Sequence, residues 1–315
     1  MASVQYVGAE YGTRLRPVLS SLGMRKEIEQ AVTLLKKNEP QAIERALELL
    51  QKTVFSFSMK VCGQREDAED TMQEVLVKAI PYLPRFGSPR ALLVWLYKVA
   101  KNRCLMSRRK SKFAPKQELS LDELMPDRRE LAMLAKEGPV NPESLAIRSQ
   151  QARRLREVIQ QLPPRYRIIL VLRDMEGLTD EEVGDITGLR PGNVRVRLHR
   201  ARLFVRKKIA GRHQNGRNSK QAVRQPQPVD SHRAEKRLAS CKDLFAQLSN
   251  YLDEEMDDSL CDKLEEHLDG CEPCKAFLAS LEATIEHLRT IPADALNRVV
   301  AAKIRRDLLR QYPYE

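Results

Sequence analysis

Residues 178–209, "LTDEEVGDITGLRPGNVRVRLHRARLFVRKKI", constrain the fold more than any other stretch. Thr179 followed by Glu182 is a capping box, in which hydroxyl and carboxylate each satisfy a backbone N–H that a helix start leaves unpaired. A helix is therefore predicted from about Asp180. Gly188 can take the left-handed conformation that ends it, and Pro191 with Gly192 opens the next helix. Two helices joined by so tight a turn make a helix-turn-helix, whose second helix can lie in a DNA major groove. On that second helix Val194, Leu198, Ala201 and Val205 recur on one side at helical spacing. They pack, and Arg195, Arg197, Arg200 and Arg202, with Asn193, project elsewhere toward a partner. Arginine can pair bidentately with guanine or hold phosphates. His199 is expected at the rim or in the packing rather than as a base reader.

The charge distribution supports a polyanionic partner. Arg190 to Lys220 holds eleven Lys or Arg and no Asp or Glu, whereas Cys241 to Thr290 holds four Lys or Arg against thirteen Asp or Glu. Clustered cations release condensed counterions from a phosphate backbone, so a basic body carries an acidic module. With 42% hydrophobic and 31% charged residues, few aromatics and 315 residues, the chain is expected to form two or three all-α modules. No apolar run approaches the roughly 20 residues of a membrane helix and no leader pattern stands at residue 1, so a cytoplasmic protein without membrane contact is expected. Four of the six cysteines fall within Cys241 to Cys274, which points to a metal or redox site in a reducing compartment rather than to a disulfide scaffold.

Helical patterns run from 24 to 112, including "REDAEDTMQEVLVKAI" and "RALLVWLYKVAKNRCLMSRRK". In the first of these Met72, Val75, Leu76, Ala79 and Ile80 form the packing stripe and leave an acidic opposite side. "PYLPRFGSPR", 81–90, reads as a loop. Residues 113–142 have little periodicity and read as a linker, 143–211 as the helix-turn-helix module, and 212–236 as a flexible basic tether. A third module spans 237–311. Its last helix is amphipathic and basic, with Leu296, Val299, Val300, Ile304 and Leu308 assigned to one side.

Within that third module "EEHLDGCEPCKAF", 265–277, spaces His267, Cys271 and Cys274 as HxxxCxxC. His267 and Cys271 lie about one helical turn apart, and Gly270 and Pro273 let the chain turn so that Cys274 joins them. A hairpin of helices can return Cys241 to the cluster. Three thiolates and one imidazole close a tetrahedral shell for one zinc ion, structural or redox-sensing. Cys261 is assigned to packing.

Taken together, "REDAEDTMQEVLVKAI", "WLYKVAKNRCLMSRRK" and "LPPRYRIILVLRDMEGLTDEEVGDITGLRPGNVRVRLHRARL" resemble, in order and separation, bacterial RNA polymerase sigma factors of the extracytoplasmic-function group. The resemblance implies a region 2-like domain over 1–112 and a region 4-like domain over 143–211. It implies that Asp67, Glu69, Asp70, Gln73 and Glu74 bind core RNA polymerase. It further implies that the 86–90 loop and a basic helix bearing Asn102, Arg103, Arg108 and Arg109 open the minus-ten element of promoter DNA, while the second helix of the helix-turn-helix reads the minus-thirty-five element. Trp95, on an apolar run, is expected in the core rather than stacked on a base. The cysteine-histidine pattern resembles zinc-binding anti-sigma proteins, which implies intramolecular contact between the C-terminal domain and the sigma domains. No nucleophile and base pair, phosphate loop or paired-carboxylate motif suggests an enzyme. A stand-alone helix-turn-helix regulator with a zinc or thiol sensor is the alternative, and "DAEDTMQEV" is the feature that such a regulator has no reason to carry.

Overall fold

The computed structural model describes residues 19–37, 39–107, 118–127, 130–131, 145–217, 245, 247–253 and 255–311. Among them the structure is all-α, without strands.

Helices α1 (Leu19–Leu35), α2 (Pro40–Cys62), α3 (Arg65–Ala79) and α4 (Pro89–Ser107) form the first bundle. α2 lies at its centre because its apolar residues extend round most of the circumference: Leu47, Leu50, Val54, Phe55 and Phe57 are all buried. Gly63 ends it at φ 79°, where a side chain would be strained, and its N–H donates to Met59 O. The 81–90 segment is not wholly a loop. Ile80–Arg85 winds as a 3-10 helix that buries Leu83, and only then does the chain turn into α4. Trp95 is half-buried, edge-on to Phe86.

Reduced thiols were the expectation, and one pair departs from it: Cys62 at the end of α2 and Cys104 in α4 are joined by a disulfide. They lie 42 positions apart, and only the packing of α4 against α2 makes them neighbours.

A short helix, α5 (Leu121–Leu124), lies in the segment expected to be a linker. It is ordered because Leu124, Met125 and Leu131 bury themselves against the C-terminal module. Helices α6 (Leu145–Gln161), α7 (Pro164–Leu170, continued by one π-helical turn, Val171–Met175), α8 (Asp180–Thr187) and α9 (Pro191–Arg217) make the second bundle. α9 continues past the expected boundary at 211, while 218–236 lies outside the described residues. The two bundles share one apolar core. Polar contacts join them: Lys60 Nζ to Glu176 at 2.7 Å, Tyr97 Oη to the same carboxylate at 2.8 Å, and Arg167 Nη1 to Val61 O at 2.9 Å.

The C-terminal helices are α10 (Leu248–Leu252), α11 (Asp258–Asp269), α12 (Glu272–Arg289) and α13 (Arg298–Gln311). Phe245, Leu248, Leu264, Leu268, Phe277, Leu281 and Ile285 form a separate core, which also takes in Leu203 of α9. α13 leaves that core and lies along α2, where Gln51 Nε2 donates to Ala301 O at 3.1 Å and Arg305 Nη1 donates to Gln51 Oε1 at 2.9 Å. Its buried face is Ala301, Ile304 and Leu308, with Val300 half-buried. Val299, assigned by spacing to that stripe, is 77% exposed. The helix starts at Arg298, with Asn297 Oδ1 accepting from the Val299 N–H, and that register turns Val299 away.

Candidate nucleic-acid interface and metal centre

The helix-turn-helix forms for the reasons local to it. Thr179 Oγ1 accepts from the Glu182 N–H at 3.3 Å and the Glu182 carboxylate accepts from the Thr179 N–H at 2.9 Å, which caps α8. Gly188, at φ 77°, ends it. Gly184 is needed for a different reason, since a Cβ there would stand 2.7 Å from Leu189 O, where the turn folds back over the helix.

α9 then presents three faces. Val194, Leu198, Ala201 and Val205 are buried in the second bundle. Asn193 is exposed and Arg197 and Arg200 are half-exposed, with no ion pair to either arginine among the described residues. The third face is Arg195, His199, Arg202 and Arg206, spaced by four, three and four, and every member of it meets the C-terminal module. Arg195 Nη1 donates to Glu255 at 2.9 Å, and His199 Nδ1 lies 2.7 Å from Ser249 Oγ. Arg206 donates to Ser280 at 2.7 Å and lies 3.9 Å from the centre of the Phe277 ring.

Arg202 corrects the sequence reading. Assigned there to DNA, it is fully buried. Its guanidinium donates to Asp174 at 2.9 and 2.6 Å and to Asp253 at 2.7 and 2.9 Å. Burial alone would favour the neutral form, but the two carboxylates outweigh it and hold Arg202 above its ordinary pKa. A charged side chain at a helical spacing that suits solvent turned inward because partners distant in sequence supply both counter-ions.

Three of the residues expected to ligate a metal converge at the junction of α11 and α12. His267 stands in the last turn of α11, Cys271 precedes α12, and Cys274 lies in its first turn. His267 Nε2 is 3.2 Å from Cys274 Sγ, the two sulfurs are 3.3 Å apart, and neither cysteine is in a disulfide. Donor atoms of all three lie within 4.8 Å of one another. Both thiols sit at the N-terminal end of α12. This donor set, soft and converging on one point, fits a tetrahedral zinc ion. Gly270, expected to permit the turn, has φ −95° and needs no glycine-specific conformation. Cys241 lies outside the described residues.

The families described as Sigma-70 region 2 and Sigma-70, region 4 match residues 47–113 and 152–205, and a zinc-finger family matches 241–275. The chain is 32% identical over 138 residues to the ECF RNA polymerase sigma factor ShbA of Streptomyces griseus, covering 44% of this chain and 69% of that protein. The chain belongs to the ECF RNA polymerase sigma factors. A second relative, the sigma factor SigW of Bacillus subtilis, is 26% identical over 188 residues, covering 59% of this chain and 98% of SigW. This sigma factor carries, in addition, a fused anti-sigma-like domain of the zinc-finger type at its C-terminal side.

The remaining sequence-predicted residues of the sigma factor are dispersed over the first bundle. Asp70 and Gln73 are exposed on α3 and Asp67 is half-exposed. Glu69 pairs with Arg65 at 3.0 Å. Glu74, expected to bind polymerase, pairs at 2.7 Å with Arg103, expected to bind DNA. Asn102 is exposed, and Arg108 and Arg109 lie outside the described residues. Among the described residues no helix is long and apolar enough to cross a membrane. Arg173, Asp174, Asp253, Glu255 and Arg206 were not anticipated. The spacing of 195, 199, 202 and 206 was legible as a polar stripe, but nothing in it names the acidic partners.

His199 gives the sigma factor an acid-sensitive contact. Burial, then the neighbouring Arg202 and Arg200, push its imidazole down to about 4, with Asp253 opposing them. An unfolded histidine titrates near 6.5, so the unfolded chain binds a proton through a window in which the folded one does not. Its contribution is intact above pH 6.5 and falls as the pH drops from there toward 4. Between pH 7 and 5 the chain is expected to lose about 2 kcal/mol through this group. Acid also protonates metal ligands, so the measurement is the difference in urea-unfolding pH profile between the wild type and His199→Gln. The variant should be flatter by that amount, and equal slopes would contradict the assignment.

Proposed function

We propose that this chain directs core RNA polymerase to specific promoters for transcription initiation and is restrained in cis by its zinc-binding C-terminal domain. The observation that carries the reading is the third face of α9: one stripe of the helix that would enter the minus-thirty-five groove is taken up by Ser249, Asp253, Glu255 and Ser280. Family membership supports the polymerase and promoter partners, and a sigma factor is a transcription initiation factor.

In this reading 1–112 and 143–211 act as the region 2 and region 4 domains, 113–142 and 212–236 connect them, and 237–311 is the regulatory unit. Asp67, Glu69, Asp70, Gln73 and Glu74 receive the polymerase. Asn102, Arg103, Arg108 and Arg109 engage the minus-ten element, and Asn193, Arg197, Arg200 and a released Arg195 engage the minus-thirty-five element. α13 reinforces the restraint by lying along α2. One zinc ion is held by Cys241, His267, Cys271 and Cys274, and its role is to fold the module that presents Asp253 and Glu255, because the binding energy of a structural zinc is folding energy. The segment between α9 and that module keeps the two at high effective concentration, so modest intrinsic affinity suffices.

The test is transcription by core polymerase with the full chain, with a chain ending at 220, and with the full chain after chelation. The truncated protein should be the most active and chelation should narrow the difference. Loss of activity on truncation would make the C-terminal domain a required support instead.

A further inference from the structure

Glu255 makes a contact that packing does not require. It lies in the short connection between α10 and α11, at the surface, and its two carboxylate oxygens go to two different guanidiniums. Oε1 accepts from Arg173 Nη2 at 3.0 Å and Oε2 from Arg195 Nη1 at 2.9 Å. These arginines come from separate elements, the π-helical turn after α7 and the first turns of α9. Both are oriented from below by one buried carboxylate. Asp180, at the start of α8, accepts from Arg173 Nε at 2.8 Å and stands 3.8 Å from Arg195 Nε. Asp253 and Asp174 also act on Arg173, and Glu181 on both arginines, but Asp174 and Asp253 are engaged by Arg202, and the outer Nη donors of Arg173 and Arg195 are those that meet Glu255.

We infer that Arg173 and Arg195 form a slot for one phosphodiester of duplex DNA and that Glu255 is its built-in occupant while the C-terminal module is docked. The inference rests on the reading above that α9 enters promoter DNA. A phosphodiester carries the same single charge as Glu255, and two non-bridging oxygens spaced much as those of a carboxylate, so it satisfies the same two donors. Arg173, which the sequence reading passed over, becomes a DNA-binding residue, and Arg195 holds backbone rather than reading a base. The slot positions the helix-turn-helix and carries no sequence preference. Glu255 therefore competes with DNA directly, through charge and geometry, besides any steric restraint from the module.

The experiment measures binding of the full-length, zinc-loaded chain to a mixed-sequence duplex by anisotropy across a salt series. Glu255→Gln is expected to raise affinity about tenfold at low salt, since a charge-assisted competitor is lost. Adding Arg173→Ala to Glu255→Gln should cancel that gain and lower the slope of log affinity against log salt by about 0.9, the value for one phosphate. If Arg173→Ala disturbs folding, judged by circular dichroism and zinc content, Arg195→Ala in the same background should give the same cancellation. A gain from Glu255→Gln that survives both arginine replacements overturns the slot, as does an unchanged affinity in Glu255→Gln. Coupling between Glu255 and the arginines in a chain that fails to initiate with core polymerase would leave the slot standing and remove the sigma reading. Promoter-dependent initiation without the coupling would remove only the slot.

Discussion

On the proposed zinc assignment, Cys274→Ala should release the metal and unfold the C-terminal module. Zinc should fall from one ion per chain to nearly none, and the small core around Phe245, Phe277 and Leu281, which includes Cys274 itself, should loosen with it. Structural zinc contributes an apparent ~10–16 kcal/mol in small domains, far more than such a core supplies alone. Cys274 is buried and lies within 3.3 Å of both neighbouring donor atoms, so its loss removes the central member of the three-residue cluster. Cys271→Ala should behave alike, and so should Cys241→Ala if that residue completes the shell. Cys261→Ala should leave zinc content unchanged. The measurements are metal content per chain and proteolytic susceptibility of 237–311. Full occupancy in Cys274→Ala would refute the site.

Arg202→Ala should be the most damaging single replacement outside the metal site. It strands Asp174, which is buried, and Asp253, which is half-buried, and breaking a buried ion pair by removing one partner costs about 3–5 kcal/mol. Asp253→Asn should cost the folded second bundle much less, because Asp174 still neutralises Arg202 there, and should act mainly by loosening the C-terminal module from α9. Urea unfolding measures the first effect, and proteolytic release of the C-terminal module the second. An Arg202→Ala chain of normal stability with weakened promoter binding would restore the outward, DNA-facing position that the sequence suggested.

These cases separate two kinds of information. The helix-turn-helix was legible because its determinants are local. Thr179 and Glu182 lie within one turn, Gly188 and Pro191 punctuate the next, and an apolar stripe at 194, 198, 201 and 205 has meaning whatever surrounds it. The convergence of His267, Cys271 and Cys274 was legible for the same reason, since a helix end followed by a helix start brings a seven-residue separation together. The 81–90 segment shows the limit of composition, because its prolines permitted a 3-10 turn as readily as a loop and the burial of Leu83 selected the turn.

What the sequence by itself determined is the all-α class, the order of the sigma-like and zinc-finger-like segments, the helix-turn-helix and the convergence of His267, Cys271 and Cys274, all consequences of interactions within a few turns of chain. The tertiary structure decided which of the exposed-looking charges are used and by whom. Arg202 met Asp174 across 28 positions and Asp253 across 51, Arg195 met Glu255 across 60, and Gln51 met Ala301 across 250. An arginine's spacing on a helix specifies its direction but not whether solvent, phosphate or carboxylate will be waiting there. That depends on where a distant segment packs, and the apolar contacts that place the segment are non-directional, so the charges it carries leave no periodic trace at the residues they meet.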